Sequence, residues 1–248
     1  MSAVSYLAEE TPAPAVGIGQ IFGEAFDFVR SEPAEFWGAT LAFAITPRVL
    51  AEFPGKIGAV FSLFDAFVTL VYAGLIAAMV YDRACQEPVR MERAFRTLPR
   101  YRSLFALSIL GGLGIALGLV ALIIPGLFLI SLWFVSTPAS AVEQLTFGKA
   151  MSRSMELTRG NRLRLLAAFG ICLVICLPPL VISLTTTGLP RLSPLPEMSG
   201  LWFLRAGLMT LYATIVAICS ALIPAAAYVA LRRAREGVLS DGVAAVFG

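Results

Sequence analysis

Three observations predict an all-α, polytopic transmembrane helical bundle. Hydrophobic residues make up 58% of the 248 residues and charged residues only 14%, whereas about 25% of the residues in soluble domains are charged. The mean hydropathy is +0.83. Apolar runs recur along the chain, and roughly 18 to 20 apolar residues in a helix cross a hydrocarbon core of about 30 Å. We expect a membrane domain at residues 17–237 between a flexible N-terminal tail, 1–16, and a C-terminal tail, 238–248.

Six apolar segments are predicted to span the bilayer. Turns at Pro54-Gly55 and Pro125-Gly126 join two pairs of them, and Pro178-Pro179 is predicted to break the fifth near its end. The third is rich in glycine, which allows a neighbouring helix to approach closely. The predicted spans are residues 36–53, 57–81, 104–124, 127–142, 163–184 and 201–231.

Three amphipathic segments are predicted to lie in the membrane interface as helices. In each, apolar residues recur at helical spacing on one face and polar residues lie opposite. The apolar faces are Ile18, Ile21, Phe22, Ala25, Phe26 and Val29 in the first segment; Met91, Ala94, Phe95 and Leu98 in the second; and Phe147, Ala150, Met151 and Met155 in the third.

These segments suggest a threefold parallel repeat with units at about 17–83, 84–143 and 144–231. Ala25, Ala94 and Ala150 align, and a Pro-Gly or Pro-Pro pair follows each of them by about 30 residues. Each unit would be one interfacial helix followed by a hairpin of two spans. Chance similarity within an apolar sequence is the alternative.

The distribution of basic residues predicts the orientation. Six arginines lie between residues 83 and 102, whereas Lys56 and Arg191 are the basic residues of the opposite loops. Under the positive-inside rule both termini are then cytoplasmic. We expect a multi-pass protein of a bacterial inner membrane.

Arg48, Glu52 and Asp65 are the charges predicted to lie within the bilayer, where a charge costs about 2.5 to 3.5 kcal/mol on insertion scales. Counting from the Pro54-Gly55 turn places Arg48 and Asp65 at comparable depths. They could form a structural ion pair across the hairpin, or they could line a polar cavity for a lipid headgroup or an ion.

Clusters of arginine near the predicted interfacial helices are candidates for binding anionic lipid headgroups, at about 1 kcal/mol per basic residue. The alternative is that they are solvated loops that only set the topology. Nucleic acid is not expected as a partner, because the basic residues lie within a few positions of the spans. The candidates are Arg96, Arg100, Arg102, Arg159, Arg162 and Arg164.

No catalytic constellation is apparent. The chain has no histidine, which excludes histidine-dependent triads and histidine-ligated zinc, and we expect neither a cofactor nor a metal. Cys172 and Cys176 share a helix face, but small buried apolar residues are the simpler interpretation of both. Glu143 is expected to pair with Lys149 or Arg153.

The run IIPGLFLISLWFVSTPASAVE, followed by GKAMSRSMELTRGNRLRLL, resembles the membrane domain of the glycerophosphoryl diester phosphodiesterase family and its stand-alone bacterial relatives. The closing segment from Tyr228 to Gly237 is similar to the end of that family. Leu132 departs from the pattern, since such proteins often carry arginine there. The matching positions are Pro125, Gly126, Trp133, Pro138, Glu143, Ala150, Arg153, Ser154, Leu157, Thr158, Gly160 and Asn161.

The resemblance implies a membrane module without the catalytic phosphodiesterase domain. Ser154, Thr158 and Asn161 are expected to serve a helix break at Gly160, with Asn161 capping the next helix. The function that we expect is non-enzymatic: scaffolding of a membrane-protein partner, or handling of lipid at the cytoplasmic leaflet. A small transporter for a lipid-like or anionic solute is the alternative, and an enzyme acting on lipids ranks third.

Overall fold

The fold of the described residues is all-α, as the composition predicts. The computed structural model describes residues 15–52, 56–92, 110, 113–114, 117, 123–188 and 200–237, and within these ranges no strand occurs. The helices are α1 (Ile18–Ser31), α2 (Pro33–Ala39), a π-helical segment (Thr40–Ile45), α3 (Thr46–Ala51), α4 (Lys56–Ala84), α5 (Ile123–Trp133), α6 (Ser136–Val142), α7 (Phe147–Thr158), α8 (Arg162–Gly188) and α9 (Gly200–Glu236).

Two helices of the described part are long and apolar enough to cross a membrane. They are α4, through Phe67–Ala84, and α9, through Phe203–Glu236; a third span results if α7 and α8, which meet at an angle of 103°, are counted as one broken span. These apolar helices are consistent with a membrane protein. The six predicted spans and the threefold repeat are not confirmed by them.

α4 and α9 pack against each other at the centre of the bundle. Tyr81 of α4 and Tyr228 of α9 contact each other, with ring centroids 6.3 Å apart. Ala225, Ala226 and Ala227 are buried on successive faces of α9, and their small side chains allow neighbouring helices to approach its backbone closely. Pro224 lies inside α9 and does not end it.

α1 is amphipathic as predicted, but its buried face differs in one respect. Ile21, Ala25 and Phe28 are buried, at spacings of four and three residues, whereas Phe26, which was predicted to share the apolar face, is 65% exposed. The reason is that α1 packs on α9 with the Ile21 stripe. Phe26 is left on the outside, where an interfacial helix would meet lipid.

The first predicted span, 36–53, is a helical run that contains a π-helical segment. Pro47 has no N–H to continue the ordinary hydrogen-bonding ladder, and the Thr46 N–H bonds instead to the carbonyl of Leu41, five residues before it. The Thr46 hydroxyl also donates to this carbonyl, at 2.7 Å. The helical run is therefore rewound locally before Pro47 and continues as α3.

The fourth predicted span, 127–142, is divided between α5 and α6. α5 lies antiparallel to α7, because Ser154 of α7 donates to the Leu132 carbonyl, at 2.7 Å, and the Arg162 guanidinium, beyond the end of α7, lies 5.2 Å over the ring of Phe128. α6 instead packs on α4. The apolar run therefore does not form one straight helix.

Two of the predicted proline breaks are wrong. Pro125 and Gly126 lie in the first turn of α5, where a missing N–H costs no hydrogen bond. Pro178 and Pro179 lie inside α8, which continues to Gly188. Pro54-Gly55, by contrast, lies outside the described residues.

Much of the third predicted span and of the second predicted interfacial helix also lies outside the described residues. Gly114 is described, and a Cβ built there would lie 2.9 Å from the Trp133 ring. The glycine thus allows the close approach that the glycine-rich composition predicted.

Candidate functional site at the basic end

Several helices meet at one end of the molecule, which we call the basic end. The C-terminal ends of α4 and α9 meet there, because Arg232 donates to the Tyr81 hydroxyl at 2.8 Å. α1 joins them through the ion pair of Glu24 with Arg233. The connection between α7 and α8 joins through the Arg159 carbonyl, which accepts a hydrogen bond of 2.5 Å from Arg235.

An ionic network holds α6, α7 and α9 together at this end. Arg153 of α7 donates through Nε to both carboxylate oxygens of Glu143, at 3.1 and 3.2 Å, and its Nη2 pairs with Glu236 of α9. Glu236 also accepts from Arg232 Nε at 2.7 Å, and the Tyr228 hydroxyl donates to Glu143 at 2.7 Å. The predicted pairing of Glu143 with Arg153 is confirmed.

Arg153 is the centre of this network. Partial burial acts to lower the pKa of its guanidinium, but hydrogen bonds to Glu236 and Glu143 outweigh that effect and raise the pKa above its ordinary value. The side chain is 21% exposed. It therefore stays charged and serves as a fixed cross-link between two acidic side chains.

Gly160 and Asn161 serve the bend between α7 and α8, as predicted, whereas the Ser154 hydroxyl bonds to the Leu132 carbonyl of α5 instead. Gly160 has a φ of 87°, in the left-handed region that favours glycine. The Asn161 carbonyl accepts from the N–H groups of Arg164 and Leu165, both at 3.1 Å, so Asn161 lies at the N-cap of α8. Its side-chain Oδ1 accepts from the Val16 N–H at 3.0 Å, which ties the segment before α1 to the bend.

Ser154 and Thr158 are buried near this bend. The Ser154 hydroxyl donates across to α5, and the Thr158 hydroxyl donates to the Met155 carbonyl at 3.4 Å. Neither arrangement places a nucleophile beside a base. Both side chains are parts of the packing between α5, α7 and α8.

Three predicted headgroup ligands line one basic cleft at the start of α8. Arg159, Arg162 and Arg164 surround a cavity of about 390 Å³ together with Gly160 and Leu163. Arg164 also donates to Asn161 Oδ1 at 3.0 Å, and Arg162 is held over Phe128 by the cation–π contact. Arg96, Arg100 and Arg102, the other predicted headgroup ligands, lie outside the described residues.

Leu163 lies among these arginines and is 83% exposed. An apolar side chain beside basic residues at a helix end is the arrangement expected at the level of lipid headgroups, where the arginines meet phosphate and the leucine meets acyl chains. The cleft can therefore accept an anion on one side and hydrocarbon on the other.

A second cavity, of about 530 Å³, lies between α5, α8 and α9. Its lining is mostly apolar and aromatic, with Trp133 and Phe169 among the larger side chains. The thiols of Cys172, Cys176 and Cys219 also line it. We refer to it as the apolar cavity.

The predicted intramembrane charges lie at the other end of the bundle. Arg48 is 8% exposed, and its Nη2 lies 3.7 Å from Asp65 Oδ1. The same guanidinium donates to the Ala44 carbonyl at 2.6 Å and to the Thr69 hydroxyl at 2.8 Å. The predicted proximity of Arg48 and Asp65 is present, but the neutral oxygens make the closer contacts.

Arg205 of α9 was missed by the sequence reasoning. Its positive charge acts on Glu52 at the end of α3, and its Nε is buried without a hydrogen-bond partner in the described part of the chain. The sequence did contain a signal for it: Arg205 is a charged residue four positions after Leu201, where the apolar run begins. Glu52 is thereby placed near a cation from a different hairpin.

Within the described ranges, no group of three or more histidine, cysteine, aspartate or glutamate side chains is arranged to hold a metal ion. The four cysteines are all described, and none forms a disulfide bond.

No model of a known protein family matches the chain, and no curated protein or solved structure is similar to it. The resemblance to the membrane domain of the glycerophosphoryl diester phosphodiesterase family therefore stays a prediction.

Proposed function

We propose that this chain is a non-enzymatic integral membrane protein that binds anionic lipid headgroups at the cytoplasmic leaflet. The observation that supports the proposal is the basic cleft, in which Arg159, Arg162 and Arg164 surround one cavity beside the exposed Leu163. Guanidinium groups bind phosphate oxygens through paired hydrogen bonds, and several of them around one cavity favour an anion over a neutral headgroup.

The fixed geometry around the cleft supports a specific site rather than a diffuse positive surface. Arg162 is held by Phe128 and Arg164 by Asn161, so two of the three guanidinium groups are positioned before a ligand arrives. Less side-chain entropy is then lost on binding. A solvated loop that only set the topology would not need these contacts.

The wider topology belongs to the same proposal. The protein lies in a bacterial inner membrane, with its basic end and both termini on the cytoplasmic side. Six spans cross the bilayer, and they form a threefold parallel repeat. The support is the excess of arginine on the predicted cytoplasmic segments and the meeting of α1, α4, α7 and α9 at one end. Reporter fusions at the N-terminus and after Gly237 should both report the cytoplasm.

Lipid binding can be tested by native mass spectrometry of the delipidated protein titrated with phosphatidylglycerol or phosphatidylcholine. We expect tighter binding of phosphatidylglycerol, weakening with salt. The variant Arg159→Gln/Arg162→Gln/Arg164→Gln should bind it roughly 100-fold more weakly, since each basic residue near a membrane surface contributes about 1 kcal/mol.

The matched control removes the same charge elsewhere, through Arg30→Gln, Arg90→Gln and Lys149→Gln. It should retain most of the affinity, because these residues do not line the cleft. Equal losses in the two triple variants would show that net charge, not the cleft, attracts lipid. Unchanged binding in the cleft variant would refute the proposal.

A membrane-protein partner remains part of the proposed function, since a scaffold would also present its basic end to other proteins. Native mass spectrometry of gently extracted membranes tests this directly. A protein partner bound at fixed stoichiometry would support scaffolding. A complex that contains only this chain and lipid would support lipid handling without a protein partner.

Transport of a lipid-like or anionic solute is the alternative function, and the buried charges favour it. Arg48 Nε and Asp65 Oδ1 are buried and lack hydrogen-bond partners among the described residues, and Arg205 adds a further charge. Charges of this kind in membrane segments often mark substrate pathways. Flux of phosphate or of a glycerophosphodiester into proteoliposomes that is abolished by Asp65→Asn would support transport; absence of flux in the native protein would exclude it for these solutes.

A further inference from the structure

The apolar cavity is not used by the headgroup site described above. It is lined by three helices, has a volume of about 530 Å³, and offers few polar groups beyond the thiols and the hydroxyls of Tyr212 and Ser220. A cavity of this size and lining is suited to a flexible hydrocarbon.

The cavity and the basic cleft lie along the same stripe of α8. Arg162 lines the cleft, while Phe169 and Cys176 line the cavity, at intervals of seven residues in the sequence. Seven residues are close to two helical turns, so these three side chains project in nearly the same direction. A ligand bound to Arg162 would therefore lie next to the cavity, which begins about two turns further along α8.

The depth of the cavity matches one leaflet. At a rise of 1.5 Å per residue, Phe169 lies roughly 10 Å and Cys176 roughly 21 Å along α8 from Arg162. Half of a hydrocarbon core of about 30 Å is about 15 Å. A chain that begins at the headgroup level beside Arg162 would thus run through the cavity and reach the middle of the bilayer.

α5 connects the two sites on the other side. Phe128 contacts Arg162, a residue of the cleft, and Ile130 and Trp133 of the same helix line the cavity. α8 therefore lines both sites, and α5 lines the cavity and contacts a residue of the cleft. One amphiphilic molecule, with its charge at the arginines and its hydrocarbon below them, fits this arrangement better than two separate ligands.

We propose that the basic cleft and the apolar cavity form one site for a single anionic diacyl phospholipid, with its phosphate among Arg159, Arg162 and Arg164 and one acyl chain in the cavity. This inference rests on the proposed headgroup binding and specifies its ligand: a lipid with a long chain, rather than a soluble phosphate compound. The second acyl chain would stay in the surrounding lipid, against the exposed face of α8 that contains Ile171 and Val174.

Cavity-filling variants test the acyl-chain site. Cys176→Phe on α8 and Val216→Phe on α9 each add a ring to the cavity lining, and Ile175→Phe adds the same ring to an exposed position of α8 that does not line the cavity. Binding of palmitoyl-oleoyl phosphatidylglycerol and of water-soluble dihexanoyl phosphatidylglycerol is measured by native mass spectrometry. Thermal unfolding of each variant shows that it is folded.

Both filling variants should bind the long-chain lipid about tenfold or more weakly, since excluding two buried methylene groups already corresponds to that factor. Their binding of the short-chain lipid should be unchanged, and Ile175→Phe should bind both lipids normally. Unaltered long-chain binding in the folded filling variants would overturn the acyl-chain site.

The two proposals fail in different ways. If the arginine triple variant binds both lipids as well as the native protein does, the headgroup proposal is wrong. If that variant loses both lipids while the filling variants lose neither, headgroup binding stands and the acyl-chain site alone is wrong.

The acyl-chain site can also be tested in the native protein, without any substitution. Cys172, Cys176 and Cys219 line the cavity, whereas Cys85 lies after α4, outside it. Palmitoyl-oleoyl phosphatidylglycerol should slow the alkylation of the three cavity thiols by pyrenyl maleimide and leave Cys85 unaffected, as read from peptide masses. Equal alkylation rates with and without saturating lipid would contradict the proposed site.

Discussion

The hydroxyl of Tyr228 donates a hydrogen bond of 2.7 Å to Oε1 of Glu143, a residue 85 positions earlier in the chain. This bond joins the central helix α9 to the end of α6. Arg153 reaches the same carboxylate from α7, so three elements are fixed at one acidic side chain. The orientation of α7, and therefore of the basic cleft that follows it, depends on Glu143.

Glu143→Gln should reduce the free energy of unfolding by about 1 to 3 kcal/mol, because the hydrogen bonds to a charged acceptor are lost at a partly buried site. Unfolding is measured by dodecyl sulfate titration in mixed micelles. Glu156→Gln is the matched control, since Glu156 pairs with the same Arg153 at 3.6 Å but has a side chain that is 65% exposed. Its cost should stay below about 1 kcal/mol, and equal costs at the two positions would contradict the importance of the network.

Ser154→Ala should reduce the free energy of unfolding by about 1 kcal/mol, because the Leu132 carbonyl loses a buried donor. The exposed Ser152 on the same helix provides the control, and Ser152→Ala should change the stability by less than about 0.5 kcal/mol. If Ser154→Ala is as neutral as Ser152→Ala, the contact between α5 and α7 does not depend on this bond.

Asn161→Ala should accelerate hydrogen exchange at the Val16 amide, which donates to Asn161 Oδ1 in a buried position. Removing the acceptor from a buried donor costs about 1 to 3 kcal/mol, so the exchange rate should rise by at least about fivefold. Asn161→Asp keeps an acceptor oxygen and should protect Val16 better than Asn161→Ala does. Equal exchange rates in the two variants would exclude this acceptor as the source of protection.

Asp65→Asn should reduce the free energy of unfolding by about 1 kcal/mol if the pair with Arg48 is structural, since the Asp65 side chain is 36% exposed and a partly exposed ion pair contributes little. A double-mutant cycle with Arg48→Met isolates the interaction between the two residues. A coupling energy near zero, together with lost transport or lipid binding in Asp65→Asn, would favour a polar cavity over an ion pair.

The contacts that sequence reasoning found are short in sequence or fixed by a hairpin. Arg48 and Asp65 were predicted to lie at comparable depths by counting from one turn, and Glu143 and Arg153 are ten positions apart across a short connection. The all-α class also followed from composition, because a bilayer admits few structures other than helices for so apolar a chain.

The long-range partners could not be read from periodicity. Tyr81, Arg232 and Glu236 complete the network only because α4, α7 and α9 meet, and the sequence contains no spacing that specifies this meeting. The resemblance of the segment from Tyr228 to Gly237 to a family end was the one signal that singled out two of these residues.

Hydropathy also could not distinguish a spanning helix from one packed beside an amphipathic helix. α5 has 11 residues and is strongly apolar, as a piece of a span would be, yet it lies along α7. The packing of α5 against α7 depends on the hydrogen bond from the Ser154 hydroxyl and on the stacking of Arg162 on Phe128. Hydropathy averaged over a segment of the sequence does not reveal such single side-chain contacts.

The ionic network imposes an order on how this protein is made. Tyr81, Glu143 and Arg153 leave the ribosome before α9, which supplies Tyr228, Arg232 and Glu236. A nascent chain that ends before α9 carries Glu143 and Arg153 without those partners, and its basic end cannot close. Synthesis of α9 is thus the step at which Glu143 and Arg153 gain their partners Tyr228 and Glu236.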